Sequence, residues 1–106
     1  MSFVFAYVTV PEDAAKKLAA TVVEERLAAC ANILPGMTSV YRWRGKIEEG
    51  AEAVVIFKTQ ADLFPVLKDR ITALHSYDTP CIIALPVVDG HQPFLEWIQA
   101  ETVSVS

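Results

Sequence analysis

Between Ser2 and Val10 two sets of apolar side chains alternate, Phe3, Phe5 and Tyr7 against Val4, Ala6, Val8 and Val10, and the run stops at Pro11. Successive side chains on a strand point to opposite faces, so this segment predicts a strand that is apolar on both. Pro11 suits the first position of a helix, and Glu12 and Asp13 set negative charge at the positive end of its dipole. Ala15, Leu18, Ala19, Val22, Val23, Leu27 and Cys30 then keep the three-and-four spacing of one buried helical stripe. After a break at Pro35-Gly36, Thr38 to Arg44 alternates again, with Val40, Arg42 and Arg44 opposite Ser39, Tyr41 and Trp43. A turn at Gly45-Lys46 and a return through Ile47 to Thr59 predict a long hairpin with an irregularity near Gly50. Its charged arms lead us to expect Arg42 or Arg44 to pair across with Glu48 or Glu49.

Asp62 is the expected cap of a second helix, buried along Leu63, Val66, Leu67, Ile71 and Leu74, with Pro65 in its permissive first turn. The chain leaves it through His75-Ser76-Tyr77-Asp78-Thr79-Pro80 into a strand from Cys81 to Val88, where Pro86 marks a sheet edge or a strand end. Pro93 to Ile98 reads as a short third helix, and the tail from Thr102 to Ser106 alternates like an edge strand. The order βαββαβ defines an α+β chain of ferredoxin-like type: a four-stranded antiparallel sheet with both crossover helices on one face, followed by a short C-terminal helix. Residues 1–106 form one domain, with no repeat or linker.

The second sheet face would then be bare, yet the strand sequences are apolar on both sides, unlike antiparallel sheets that face water. Composition sharpens the conflict: 53% of residues are hydrophobic and 21% charged, against about 45–50% and about 25% in ordinary soluble domains. A second copy of the chain is the simplest cover, giving a homo-oligomer assembled sheet to sheet. No apolar run reaches the ~18–20 residues that span a bilayer, and Met1-Ser2-Phe3 lacks the basic start of a signal peptide, so a cytoplasmic protein without membrane contact is expected. The formal charge of −4 argues against nucleic acid as a partner. Cys30 and Cys81 are far apart and form no C-x-x-C pair.

Four stretches, in order and over nearly the whole length, carry a family resemblance. They are Glu25-Arg26-Leu27-Ala28-Ala29-Cys30-Ala31-Asn32-Ile33, Ser39-Val40-Tyr41-Arg42-Trp43-Arg44-Gly45-Lys46-Ile47-Glu48, His75-Ser76-Tyr77-Asp78-Thr79-Pro80, and Gly90 followed by Leu95-Glu96-Trp97-Ile98. In these the chain closely resembles the CutA family of divalent-cation-tolerance proteins. The resemblance implies a homotrimer packed sheet to sheet like the PII signalling proteins, with clefts between subunits and a link to tolerance of copper and other divalent metals. It also implies a metal site built from a first-strand cysteine and two adjacent histidines. Those positions are held here by Val8, Leu74 and His75, so only His75 keeps a ligand type.

As a candidate metal ligand, His75 competes with a role as a cap on the last helical carbonyls. Cys30 could ligate soft copper, or fill a small buried site at a helix end. Tyr41 and Trp43, with Glu48, Lys58 and Tyr77, are candidates for holding a metal ion or small ligand in an intersubunit cleft; packing of the hairpin on a neighbour is the structural alternative. His91 reads as a solvated loop histidine. The expected function is a non-catalytic binding or signalling scaffold of metal response. The alternatives are a PII-like small-ligand sensor without a physiological metal and a hydrolase on the same fold. A phosphate-cleaving enzyme would need a cationic cradle after the first strand, where Pro11-Glu12-Asp13 is acidic. An RNA-recognition module could use Phe3 and Phe5 for stacking, but no basic run accompanies them.

Overall fold

The computed structural model describes residues 1–104, in the order β1 (Phe3–Val10), α1 (Glu12–Glu24), β2 (Cys30–Trp43), β3 (Lys46–Gln60), α2 (Phe64–Leu74), β4 (Ile82–Val87) and α3 (Gln92–Glu101). The sheet runs β2-β3-β1-β4 with every neighbouring pair antiparallel, the ferredoxin-like arrangement expected from the element order. One face carries the core. Ala6, Val8, Val10, Val55 and Phe57 are buried there against Ala15, Leu18 and Val22 of α1 and Leu67 and Ile71 of α2. β1 sits between β3 and β4, with Ala6, Val8 and Val10 on the core face and Phe3, Phe5 and Tyr7 on the opposite one.

Several local expectations are corrected. The helical stripe does not run to Cys30: α1 ends at Glu24 and Arg26 takes φ 61, a left-handed residue that stops a helix. Leu27 and Ala28 stay buried in the connection, fixed where the Thr59 hydroxyl donates to the Leu27 carbonyl at 2.7 Å, and Cys30 opens β2. Pro35-Gly36 does not divide the segment. β2 passes through it with a bulge between Leu34 and Met37, Gly36 at φ 72 donating its N–H to the Glu12 carboxylate. The irregularity is therefore on β2 and not at Gly50, which pairs regularly with Ser39.

The hairpin turn is Arg44-Gly45, at φ 50 and 79, instead of Gly45-Lys46. Two consecutive left-handed residues match the twist of the flanking strands. The expected Arg–Glu pairs do not form, because Arg42 faces Ile47 while Glu48 and Glu49 face Tyr41 and Val40, and Arg44 lies 5.4 Å from the centre of the Trp43 ring. Among the described residues the only ion pair is Arg70 with Glu25, two bonds of 2.8 and 2.7 Å that hold the Glu25 carboxyl below its usual range. Asp62 does not cap α2; it lies in a 3-10 turn, Ala61–Leu63, that leads into the helix. Val66 and Leu74, expected in the buried stripe, are exposed because α2 turns only Leu67 and Ile71 inward.

The register defines the other face row by row: Cys30, Lys58, Phe5 and Leu85; Asn32, Ile56, Tyr7 and Ile83; Leu34, Val54 and Thr9; Gln60, Phe3 and Val87. α3 covers the last row, Ile98 and Leu95 packing on Phe3, Ala29 and Val87, and reaches the next row only where Phe94 lies beside Lys58. Arg26 and Thr102 donate to the last carbonyls of α3, and Gln60 bonds Thr102. Leu34, Ile83 and Leu85 are left 51%, 52% and 47% exposed. Both outer strands carry a proline, Pro35 in β2 and Pro86 in β4. In the expected C-terminal strand, Thr102 to Ser104 are not extended into a sheet, and its last two residues lie outside the described ones.

Candidate functional site

The candidate residues fall at two ends of the sheet. At the first, the loop after α2 folds back on β1. The His75 ring meets the Thr9 carbonyl through Nε2 at 2.8 Å and the Tyr77 N–H through Nδ1 at 3.1 Å. A carbonyl only accepts and an N–H only donates, so the ring carries its proton on Nε2 and uses the Nδ1 lone pair. The Tyr77 ring lies 4.6 Å away, and its hydroxyl donates to Glu52 Oε2 at 3.0 Å; the other oxygen of Glu52 accepts from Ser39 at 2.5 Å. Burial first, then the Glu52 carboxylate, pushes the Tyr77 pKa up to about 12. Tyr41 belongs to this neighbourhood, its ring lying beside Gly50 and adding to the shift on Tyr77. Trp43 and Glu48 sit farther out on the exposed arms of the hairpin.

At the second end, Lys58 stands opposite Cys30 on one side and Phe5 on the other. Its ammonium lies 5.4 Å from the centre of the Phe5 ring and 5.3 Å from that of Phe94 at the start of α3. Burial pushes the Cys30 thiol up, and Lys58 pulls it partly back. Glu48 and Lys58 are ten residues apart on β3, roughly 33 Å at strand rise, so one chain does not unite the proposed ligand set. Nor does it unite the two metal candidates. Cys30 shares a row with Phe5 and His75 bonds Thr9, four residues or about 13 Å farther along β1.

The donor chemistry gives the same result. Both His75 nitrogens are committed, the Cys30 thiol is held away from the thiolate that binds metals, and among the described residues no group of three His, Cys, Asp or Glu is gathered to hold an ion. The residues of a single chain thus do not fit a copper or zinc centre of three or four ligands. The sequence reading missed Glu52, Ser39 and Phe94 as site residues, and weighed Phe5 only as a stacking aromatic of an RNA-recognition module. Glu52 carried a signal, as a carboxylate entering an apolar strand, whereas Phe94 is brought to Lys58 only by the docking of α3.

Residues 4–101 match the family model described as CutA1 divalent ion tolerance protein. The chain is 48% identical over 96 residues to the divalent-cation tolerance protein CutA of Thermus thermophilus, covering 90% of this chain and 93% of that one. It is 49% identical over 102 residues to Protein CutA of Homo sapiens, covering 95% of this chain and 57% of the human protein, so it spans little more than half of that relative. The crystal structure of CutA1 from Oryza sativa superposes with a TM-score of 0.96 at 42% identity, covering 99% of this chain and 97% of the other.

Proposed function

The chain belongs to the CutA1 divalent ion tolerance family, and from that premise we propose that it acts as a homotrimer joined open face to open face, a non-catalytic binding and signalling scaffold in the response to divalent cations, copper first. The observation behind this reading is the uncovered apolar field of Leu34, Ile83 and Leu85, with Phe5, Tyr7 and Ile56 half-buried between them. The number three follows the family resemblance. Tyr41, Trp43 and Glu48 of one copy and Lys58 and Tyr77 of another would share the intersubunit clefts, and a copper centre on His75 or Cys30 would need ligands from more than one copy. No helix among the described residues is long and apolar enough to cross a membrane, and we place the protein in the cytoplasm, where Cys30 and Cys81 stay free thiols.

A second reading, a PII-like sensor of a small ligand with no physiological metal, is favoured by His75, whose two nitrogens are already bonded. Native mass spectrometry at micromolar concentration, followed by Cu(II) titration of wild type and His75→Ala, separates the readings. A trimer that binds copper and loses it with His75 supports the first. A trimer indifferent to copper selects the second. A monomer refutes the assembly.

A further inference from the structure

In the four rows of the open face that β1 spans, Lys58 is the only charged side chain. Among the described residues no carboxylate pairs with it, and its ammonium rests between the faces of Phe5 and Phe94. Phe94 is the third residue of α3, so the positive end of that helix faces the same corner. In the single chain water can still solvate the half-buried ammonium. Assembly through this face removes that water. The attraction of two aromatic rings is smaller than the cost of drying a lysine ammonium without a counter-ion. The same four rows of a second copy do not supply one, since their single charge is again Lys58, so the counter-ion is either a carboxylate of the neighbour's hairpin, such as Glu48 or Glu49, or a bound anion. Face-to-face packing therefore gathers like charges in an apolar setting, an arrangement that an anion relieves and a metal cation aggravates.

We propose that Lys58, walled by Phe5 and Phe94, is an anion-recognising group of the intersubunit cleft, and that the ligand is a small carboxylate or phosphate compound. This rests on the sheet-to-sheet assembly above and gives the sensor reading its ligand class. The ammonium supplies charge and a donor, the rings exclude water, and no bond is made or broken.

The test is calorimetric titration of the full chain with citrate and with inorganic phosphate at constant ionic strength, choline chloride serving as the cation control. Amide shifts of Phe5, Cys30 and Phe94 locate the binding. We expect at least one anion to bind and shift these amides, Lys58→Met to weaken it at least about tenfold, Lys58→Arg to retain most of it, and choline to do nothing. Whichever of citrate and phosphate binds more tightly identifies the class. A wild-type trimer that binds neither anion, or Lys58→Met binding as wild type does, overturns the proposal. So does a trimer that binds an anion only after Glu48→Gln and Glu49→Gln, because a neighbour's carboxylate would then be the native counter-ion. Native mass spectrometry of the same samples distinguishes the failures. Monomers remove the assembly and the site with it, whereas an intact trimer without anion binding removes the site alone.

Discussion

Replacing Ile83 with Asp tests the open face where the fold is least at risk. Ile83 is 52% exposed in the single chain. Burying an isoleucine side chain fully is worth about 1.5–3 kcal/mol, so roughly half, about 1 kcal/mol per copy, is still available to assembly. A carboxylate in its place must be dried at an effective cost of several kcal/mol per ion. Summed over three copies the perturbation is on the order of 10 kcal/mol, comparable with the whole of about 12 kcal/mol that holds a nanomolar complex. The folded monomer loses only the buried half of one side chain. Sedimentation velocity at micromolar concentration should therefore show wild type as a trimer and Ile83→Asp as a monomer with an unchanged far-ultraviolet dichroism spectrum. A variant that sediments with wild type would refute the claim that copies meet through this face. A variant that unfolds would refute the claim that Ile83 is peripheral to the monomer core, and Leu85→Asp, at a site 47% exposed, would then decide the assembly question.

Tyr77, with its pKa pushed from 10.0 up to about 12, contributes stability that is complete below its unfolded value and is lost as pH rises through the folded one. Ultraviolet titration should find the Tyr77 phenolate forming late, and Glu52→Gln should bring its midpoint down and narrow the alkaline window of instability. Thr59→Val leaves the buried Leu27 carbonyl without its hydroxyl donor and should cost about 1–3 kcal/mol in urea unfolding, with Thr59→Ser close to wild type. Arg26→Ala and Arg26→Gly both remove the donors to Ala100 and Glu101, so amide exchange at the end of α3 should quicken in both. The glycine variant should be the more stable by about 1 kcal/mol, since Arg26 is held in a left-handed conformation that glycine adopts freely.

Strand-like and helix-like segments were enough to read the sheet and its two faces, because their periods differ and their order admits few topologies. Periodicity failed where one residue decides a local path. The stripe through Leu27 to Cys30 has helical spacing, yet Arg26 turns the chain after α1 and the same apolar residues are buried by a connection and a strand instead. Pro35-Gly36 looks like punctuation, but in an outer strand a proline costs no ladder bond when its nitrogen faces outward, and glycine supplies the conformation of a bulge. The candidate site was legible only in parts. Tyr41, Tyr77 and Lys58 stood out as residue types, whereas the Glu52 bridge and the Phe94 wall depend on how the post-α2 loop and α3 lie against the sheet. His75 was read as a possible ligand because a sequence does not show that both ring nitrogens are engaged.

The prolines in the two outer strands bear on the interval between synthesis and assembly. A newly folded chain shows Leu34, Ile83 and Leu85 to water and ends its sheet in two open edges, the combination from which strands add without limit. Pro35 with its bulge and Pro86 each interrupt the row of donors such growth would use. In the assembly proposed above, face association would then be left as the favoured route, and the same sequence that makes a lone copy sticky would keep its encounters from propagating into fibres.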